Sequence, residues 1–302
     1  MGAMNTEQLR QTGEWFKLWC DPSIISMGSK YGYSQQDIDD AVSSLKRVYE
    51  PGWVQANPGH PIVISLFGPE SEWGFLQVVD LGYAIASFPH VLEGGKASKR
   101  ILGSLLSAQG FYPREYEIRV LSRLNKMVDS IILEEGIPRG PNAARPDAQI
   151  QHKGRTVDIE IFRKDWSDYV KGAFFELTAH GTPVDQYEPG LREWERLEQE
   201  VYKRLPKVDK AVPMVFVCSP PPPLMMLFEV NRANDKTYVE KVVSEVFRSV
   251  RDRARDDGRD RLQRVSKLVV DMPDRVLRHT ITDNHKDNPS EFICCMNPYF
   301  VS

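Results

Sequence analysis

RPDAQIQHKGRTVDIEIFRK, residues 145–164, is the stretch of the chain that decides its fold. Apolar and polar residues alternate on both sides of Lys153 and Gly154, which is the pattern of two strands joined by a tight turn. A two-residue turn requires positive φ angles, and glycine adopts them without steric cost. We therefore predict an antiparallel hairpin in which residue 152 faces residue 155.

Three acids fall on one face of the predicted hairpin. In this register Asp147 faces Glu160 and Asp158 faces a glutamine, so all three project from the same side, with facing Cβ atoms about 5 Å apart. Carboxylates this close repel one another unless something positive lies between them, and a hard divalent cation suits their oxygens. A turn one residue longer would shift the register and move the acids. The opposite side is predicted to face the core, leaving the acids away from it, and carries Ala148, Ile150, Val157, Ile159 and Ile161.

A fourth acid, Glu117, lies on the apolar stripe of a helix predicted over residues 113–135. Pro113 suits a first helical turn, and Gly136 and Pro138 are typical of a helix end. An acid on a buried stripe needs a partner, whereas Glu115 lies off the stripe and is the weaker candidate. The stripe consists of Val120, Leu121, Leu124, Met127, Val128 and Ile131.

The chain beyond the hairpin continues as helix, strand, helix and strand. Apolar spacing predicts helices over residues 190–205 and 236–257, and buried strands over 214–218 and 268–270. The order of these elements predicts an α/β protein whose mixed central sheet is covered by helices on both faces.

The first 110 residues are predicted to be mixed and helix-rich. Asn5 or Thr6 suits the cap of one helix, and Ser34 suits the cap of another. Two apolar runs, residues 62–67 and 75–86, are predicted as strands. We divide the chain into an accessory region, residues 1–110, and an α/β core, residues 111–302.

Composition narrows the class of protein. The 302 residues are 41% hydrophobic and 27% charged, as in globular proteins, and the net charge of −3 counts weakly against a nucleic-acid partner. No apolar run approaches the roughly 20 residues of a membrane span, and the start does not resemble a signal peptide, so no membrane partner is expected. The four cysteines form no CxxC pair, which favours reduced thiols and an intracellular, cytoplasmic protein. Residues 1–4 are interpreted as a cloning remnant.

The acidic hairpin resembles the PD-(D/E)xK nuclease superfamily, which has the restriction-endonuclease-like fold. Pro146-Asp147 is followed after ten residues by Asp158-Ile159-Glu160, and Glu117 lies on the preceding helix. The order of elements after the hairpin also matches. The resemblance covers roughly residues 112–270 and none of the first 110 residues.

The resemblance implies a metal-dependent nuclease that hydrolyses phosphodiester bonds of DNA with Mg²⁺ or Mn²⁺. Asp147 and Asp158 would be metal ligands, Glu117 an accessory ligand, and Glu160 would stand where the family usually has its lysine. Lys164 shares the face of these acids and would supply the missing positive charge. The catalytic set implied is Asp147, Asp158, Glu160 and Lys164, and the metal set is Glu117, Asp147, Asp158 and Glu160.

Several alternatives stay open at the level of sequence. A second register makes Glu160 the metal ligand and leaves Phe162 in the lysine place, and Arg163 could replace Lys164. The missing lysine also favours a nuclease-like fold without catalysis, acting as a protein- or nucleic-acid-binding module. A plain α/β domain with surface acids is a third reading, and the first 110 residues could hold a homodimer or protein contact.

Two weaker patterns favour structure over chemistry. The aromatic residues between 166 and 175 could stack on bases, but packing against the sheet is the simpler interpretation. His279, Asp283 and His285 could bind a metal, but their polar surroundings are typical of a surface loop.

Overall fold

A computed structural model of the chain describes residues 6–88, 92, 95–140, 143–163, 189–219, 236–273, 286 and 290–301. Two compact units are present, one formed by residues 1–127 and 282–288, the other by residues 128–281 and 289–302. Lys164, the aromatic residues 166–175 and the group His279, Asp283 and His285 lie outside the described residues.

The described part of the first unit is helical. Ser34 caps a helix as predicted, because its hydroxyl accepts from the Asp37 N–H while the Asp37 carboxylate accepts from the Ser34 N–H. The elements are α1 (Thr6–Thr12), a 3₁₀ helix (Trp15–Cys20), α2 (Pro22–Lys30), α3 (Gln35–Lys46), α4 (Pro51–Ala56), α5 (Pro61–Leu66), α6 (Glu72–Ser87), α7 (Lys96–Leu105) and α8 (Phe111–Asn125).

The prediction of strands over residues 62–67 and 75–86 is wrong, since these runs form α5 and α6. Pro61 occupies the first turn of α5, and the Ser71 hydroxyl caps α6 by accepting from the Gly74 N–H. Gly82 lets α6 approach α3 closely, because a Cβ at that position would lie 2.5 Å from the carbonyl oxygen of Ala41. A helix buried on most sides is apolar nearly throughout, so its sequence has no clear period.

The second unit is a mixed α/β structure built on a six-stranded sheet with strand order β1-β2-β3-β4-β5-β6. The β3–β4 and β4–β5 pairs are parallel, and the other pairs are antiparallel. The strands are β1 (Ser130–Leu133), β2 (Ala148–His152), β3 (Arg155–Arg163), β4 (Met214–Ser219), β5 (Val265–Pro273) and β6 (Ser290–Met296), and the helices are α9 (Pro189–Arg204), followed by a 3₁₀ turn (Leu205–Lys207), α10 (Lys236–Arg253) and α11 (Asp256–Leu262).

The predicted hairpin register is confirmed. His152 pairs with Arg155 and Gln149 pairs with Asp158. The turn residues have positive φ angles, 50° at Lys153 and 75° at Gly154. The hairpin thus takes the two-residue turn whose twist matches that of the flanking strands.

Three boundaries differ from the predictions. The helix expected over residues 113–135 ends at Asn125, because residues 130–133 pair with β2 as strand β1. The helix expected over 236–257 ends at Arg253, and the short α11 follows it. The last predicted strand is longer than expected, and β6 pairs with it as a further strand that the sequence analysis missed.

Both faces of the central strands are buried. One face contacts the predicted apolar stripes of α9 and α10, through residues such as Val201 and Val243. The other face carries residues such as Ile159 and Val217, which are also almost fully covered. In the part of the chain that the structure describes, no helix combines the length and the apolar character needed to cross a membrane.

Candidate acidic site on the hairpin

The acids Asp158 and Glu160 lie inside the protein, which corrects the prediction that they project away from the core. Asp158 is 0% and Glu160 2% exposed. They share their side of β3 with Phe162, whose ring contacts that of Phe216 in the core at 6.2 Å between centroids. The strand parity was predicted correctly, but the covering layer above this face was not.

Asp147 is fixed across the hairpin beside Glu160. It lies immediately before β2, and its Oδ2 accepts a hydrogen bond of 2.7 Å from the backbone N–H of Ile161. Its own carbonyl accepts from the N–H of Glu134, next to β1. Two neighbouring segments therefore hold this carboxylate, while its side chain stays partly exposed, at 13%.

Glu160 is paired with two cations that come from the end of α9. The Nζ of Lys207 lies 2.7 Å from Glu160 Oε1 and 3.7 Å from Asp147 Oδ1, so one ammonium group bridges the two carboxylates. The Nε of Arg204 lies 3.3 Å from the same Glu160 oxygen, and its guanidinium stacks on the ring of Phe162 at 4.2 Å. The other carboxylate oxygen, Glu160 Oε2, is buried without a hydrogen-bond partner.

The electrostatics of this cluster are dominated by burial. Burial raises the pKa of Glu160 to about 8, and the neighbouring Asp147 carboxylate raises it further against the opposing effect of Lys207. Burial would lower the pKa of Lys207, but the charges of Asp147 and Glu160 outweigh it and hold that pKa above its ordinary value. The cluster therefore combines two closely placed carboxyl groups with one bridging ammonium group.

Asp158 belongs to a different set of contacts. Its Oδ2 accepts from Arg139, and its Oδ1 accepts from the side-chain amide of Gln149 at 2.9 Å. Arg139 also donates to the carbonyls of Ala144 and Lys207, at 3.0 and 2.9 Å. Burial raises the pKa of Asp158, although Gln149 and Arg139 oppose the rise. Both of its oxygens are thus occupied by structural partners.

The two registers left open by the sequence differ in which acid joins Asp147. The geometry favours the register in which Glu160 faces Asp147, because the two share one ammonium group while Asp158 is enclosed by Arg139 and Gln149. Phe162, which then takes the place of the lysine, packs in the core and carries no charge. The positive charge at the pair comes instead from Lys207.

Glu117 belongs to the first unit, on α8. It is buried, as predicted for an acid on the apolar stripe, and it pairs with Arg114 one turn earlier. Glu115, predicted to be the weaker candidate, is equally buried and pairs with Arg119, which also contacts Asp80. Each of these acids therefore has a basic partner on its own unit.

Arg139, Arg204 and Lys207 are the site residues that sequence reasoning missed. Arg204 and Lys207 follow a predicted helix in the segment YKRLPK, and a basic helix end is ordinarily read as solvated. Arg139 lies in a loop rich in Gly and Pro. The one available signal was the three buried-strand acids themselves, because buried carboxylates require counter-charges from elsewhere in the chain.

The donor set fits Mg²⁺ or Mn²⁺ in a limited way. Asp147 and Glu160 offer two carboxylates, one with a free buried oxygen, and Mg²⁺ is commonly held by one or two carboxylates with water and phosphate completing its shell. Among the described residues, no group of three or more His, Cys, Asp or Glu side chains is arranged to hold a metal. Comparison of the chain with family models, with curated proteins and with solved structures finds no match.

Proposed function

We propose that the protein is a metal-dependent nuclease whose site is the pair Asp147 and Glu160, with DNA as the substrate to test first. The observation that carries the proposal is the buried, partnerless Oε2 of Glu160, which faces a second carboxylate across the hairpin. A buried carboxylate oxygen without a partner is costly unless a ligand supplies one. The order of α9, β4, α10 and β5 after the hairpin agrees with the restriction-endonuclease-like fold that the motif resembles.

The residues of the site have distinct roles in this proposal. Asp147 and Glu160 would hold Mg²⁺ or Mn²⁺, which supplies Lewis-acid activation of water and neutralises charge on the phosphate. The Ile161 N–H keeps the Asp147 carboxylate oriented, since a strand backbone cannot move without breaking the sheet. Asp158 and Arg139 support the floor of the site, and Glu117 and Lys164 stay proposals of the motif alone.

The proposal is tested by cleavage of single- and double-stranded DNA and RNA with Mg²⁺, Mn²⁺ or EDTA. We expect metal-dependent cleavage that falls by roughly 100-fold in Asp147→Asn and in Glu160→Gln, because each removes one ligand charge. Glu135→Gln, an exposed neutral swap on the neighbouring segment, is the matched control and keeps full activity. Equal cleavage by the parent and both site variants would contradict the proposal.

A nuclease-like fold that binds without catalysis is the second candidate. The observation that favours it is that cations already match the acids, with Arg139 on Asp158 and Lys207 and Arg204 on Glu160. In that case no metal raises the melting temperature and no substrate is cleaved, yet the variants lose stability. A protein partner or second copy bound through residues 1–110 would belong to this reading.

A further inference from the structure

Lys207 occupies the position between the two carboxylates that a cation would take. Its Nζ contacts oxygens of both Asp147 and Glu160, at 3.7 and 2.7 Å, and within the described residues these are the acids with which it forms ion pairs. An ammonium group and a divalent cation compete for the same oxygens, because both are bound through charge.

The backbone of Lys207 is held while its side chain has a route outward. Its carbonyl accepts from Arg139, and Pro206 stiffens the 3₁₀ turn that begins at Leu205. The side chain is 33% exposed, so its four-carbon stem can turn towards solvent without moving the turn itself. Arg204 differs, because its guanidinium is fixed on the ring of Phe162 and bonded to Glu200.

We propose that Lys207 is an internal occupant of the metal position, which a divalent cation displaces when it binds Asp147 and Glu160. The proposal rests on the proposed function and deepens it. The displaced ammonium group, one lysine length from the metal, contacts the phosphate of bound nucleic acid and supplies the positive charge that Phe162 cannot. The strand has lost its lysine, and the turn after α9 provides one.

The test is a Mn²⁺ titration of the full chain, followed by calorimetry and by the loss of the free-ion electron-spin signal. Lys207→Met is expected to bind Mn²⁺ about tenfold more tightly than the parent, which corresponds to about 1.4 kcal/mol. Lys210→Met is the matched control, because it removes the same charge three residues away from a surface pair with Asp257 and leaves the Mn²⁺ affinity unchanged. Asp147→Asn abolishes binding in both backgrounds.

The outcomes separate this inference from the proposed function. Unchanged or weaker binding in Lys207→Met, with binding by the parent that Asp147→Asn removes, overturns the role of Lys207 and leaves the metal site standing. Absence of Mn²⁺ binding in the parent and in Lys207→Met overturns the metal site and this inference together. Lys207→Gln repeats the titration should the methionine variant lose its cooperative melting.

A second readout uses the unaltered protein. Amine-reactive labelling mapped by mass spectrometry should modify Lys207 slowly without metal and several-fold faster with Ca²⁺, because displacement exposes the ammonium group. Lys210 reports the intrinsic reaction rate and should not respond to Ca²⁺. A Lys207 rate that is unchanged or lower with Ca²⁺ contradicts the displacement.

Discussion

Arg139 shows how strongly one side chain can determine a buried acid. Its guanidinium is 7% exposed and neutralises Asp158, which has no exposure. It also joins the loop before β2 to the turn after α9, through the carbonyls of Ala144 and Lys207. Removal of one partner from a buried pair leaves an uncompensated charge, which costs far more than the pair contributes.

Arg139→Met is therefore expected to lower the free energy of unfolding by about 3–5 kcal/mol, measured by urea denaturation. Asp158→Asn in the same chain should recover a large part of that loss, because the unpaired charge is then gone. Lys210→Met, which breaks an exposed pair with Asp257, should change stability by less than about 1 kcal/mol. A loss in Arg139→Met no larger than in this control would contradict the buried pair.

Glu160 makes stability depend on pH in a direction opposite to that of ordinary surface acids. Its pKa is about 8 in the folded protein against 4.5 for the free side chain, so the folded state binds the proton more tightly. Stability from this group is full below about pH 4.5 and is lost as the pH rises towards 8, with a slope of at most about 1.4 kcal/mol per pH unit. The groups that set this value are Asp147, Lys207 and Arg204.

Urea unfolding between pH 5 and pH 8 checks this expectation. Glu160→Gln cannot titrate, so its stability should fall less steeply with pH than that of the parent. Glu135→Gln, exposed and outside the cluster, should follow the parent curve. Parallel curves for the parent and Glu160→Gln would show that Glu160 stays ionised throughout this range.

At the scale of elements, the hairpin β2–β3 sets the geometry of the site. Its register brings Asp147 and Glu160 together, and the register depends on a turn of two residues with positive φ. Gly154 has no atoms near the position of an added Cβ, so a side chain there would meet only the backbone cost of a φ of 75°.

Gly154→Ala is expected to lower the free energy of unfolding by about 1–2 kcal/mol, the cost of a left-handed conformation for a residue with a Cβ. Gly52→Ala is the matched control, because Gly52 lies in α4 with open space around it and should gain up to about 1 kcal/mol from helix propensity. Thermal or urea unfolding measures both. A neutral Gly154→Ala would argue against the turn conformation.

At the scale of the whole molecule, the chain returns to its first unit after building most of the second. Residues 282–288 are grouped with the helical unit, and Lys286 makes the described contacts of that return. Its Nζ lies 2.8 Å from Asp37 Oδ2, and its backbone N–H donates to the carbonyl of Tyr31 at 3.1 Å. The first unit is thus completed by a segment about 160 residues away from its main part, a separation that follows from its bounds.

Lys286→Met is expected to lower the free energy of unfolding by about 1–2 kcal/mol, because it removes a partly buried, charge-assisted hydrogen bond. Lys30→Met, which breaks a pair with Glu72 that is more than half exposed, should cost less than about 0.5 kcal/mol. Urea unfolding followed by tryptophan fluorescence compares the two, since Trp15 and Trp19 lie in the first unit. Equal effects would show that the return segment contributes no stability.

The sequence by itself determined the features that depend on near neighbours along the chain. Turn chemistry at Lys153-Gly154 and the two-residue period predicted the register that places Asp147 opposite Glu160, and the capping preference of Ser34 predicted the start of α3. These signals are local, since a turn or a cap involves only the few residues that form it.

Only the tertiary structure decided what surrounds the acids. The apolar runs of α5 and α6 have no clear period, so burial on most sides, and not their pattern, makes them helices. The acids of β3 are enclosed by Arg139, Arg204 and Lys207, which come from segments outside the hairpin. Local patterning specifies the face on which a residue lies, but burial and charge pairing depend on which distant segments cover that face.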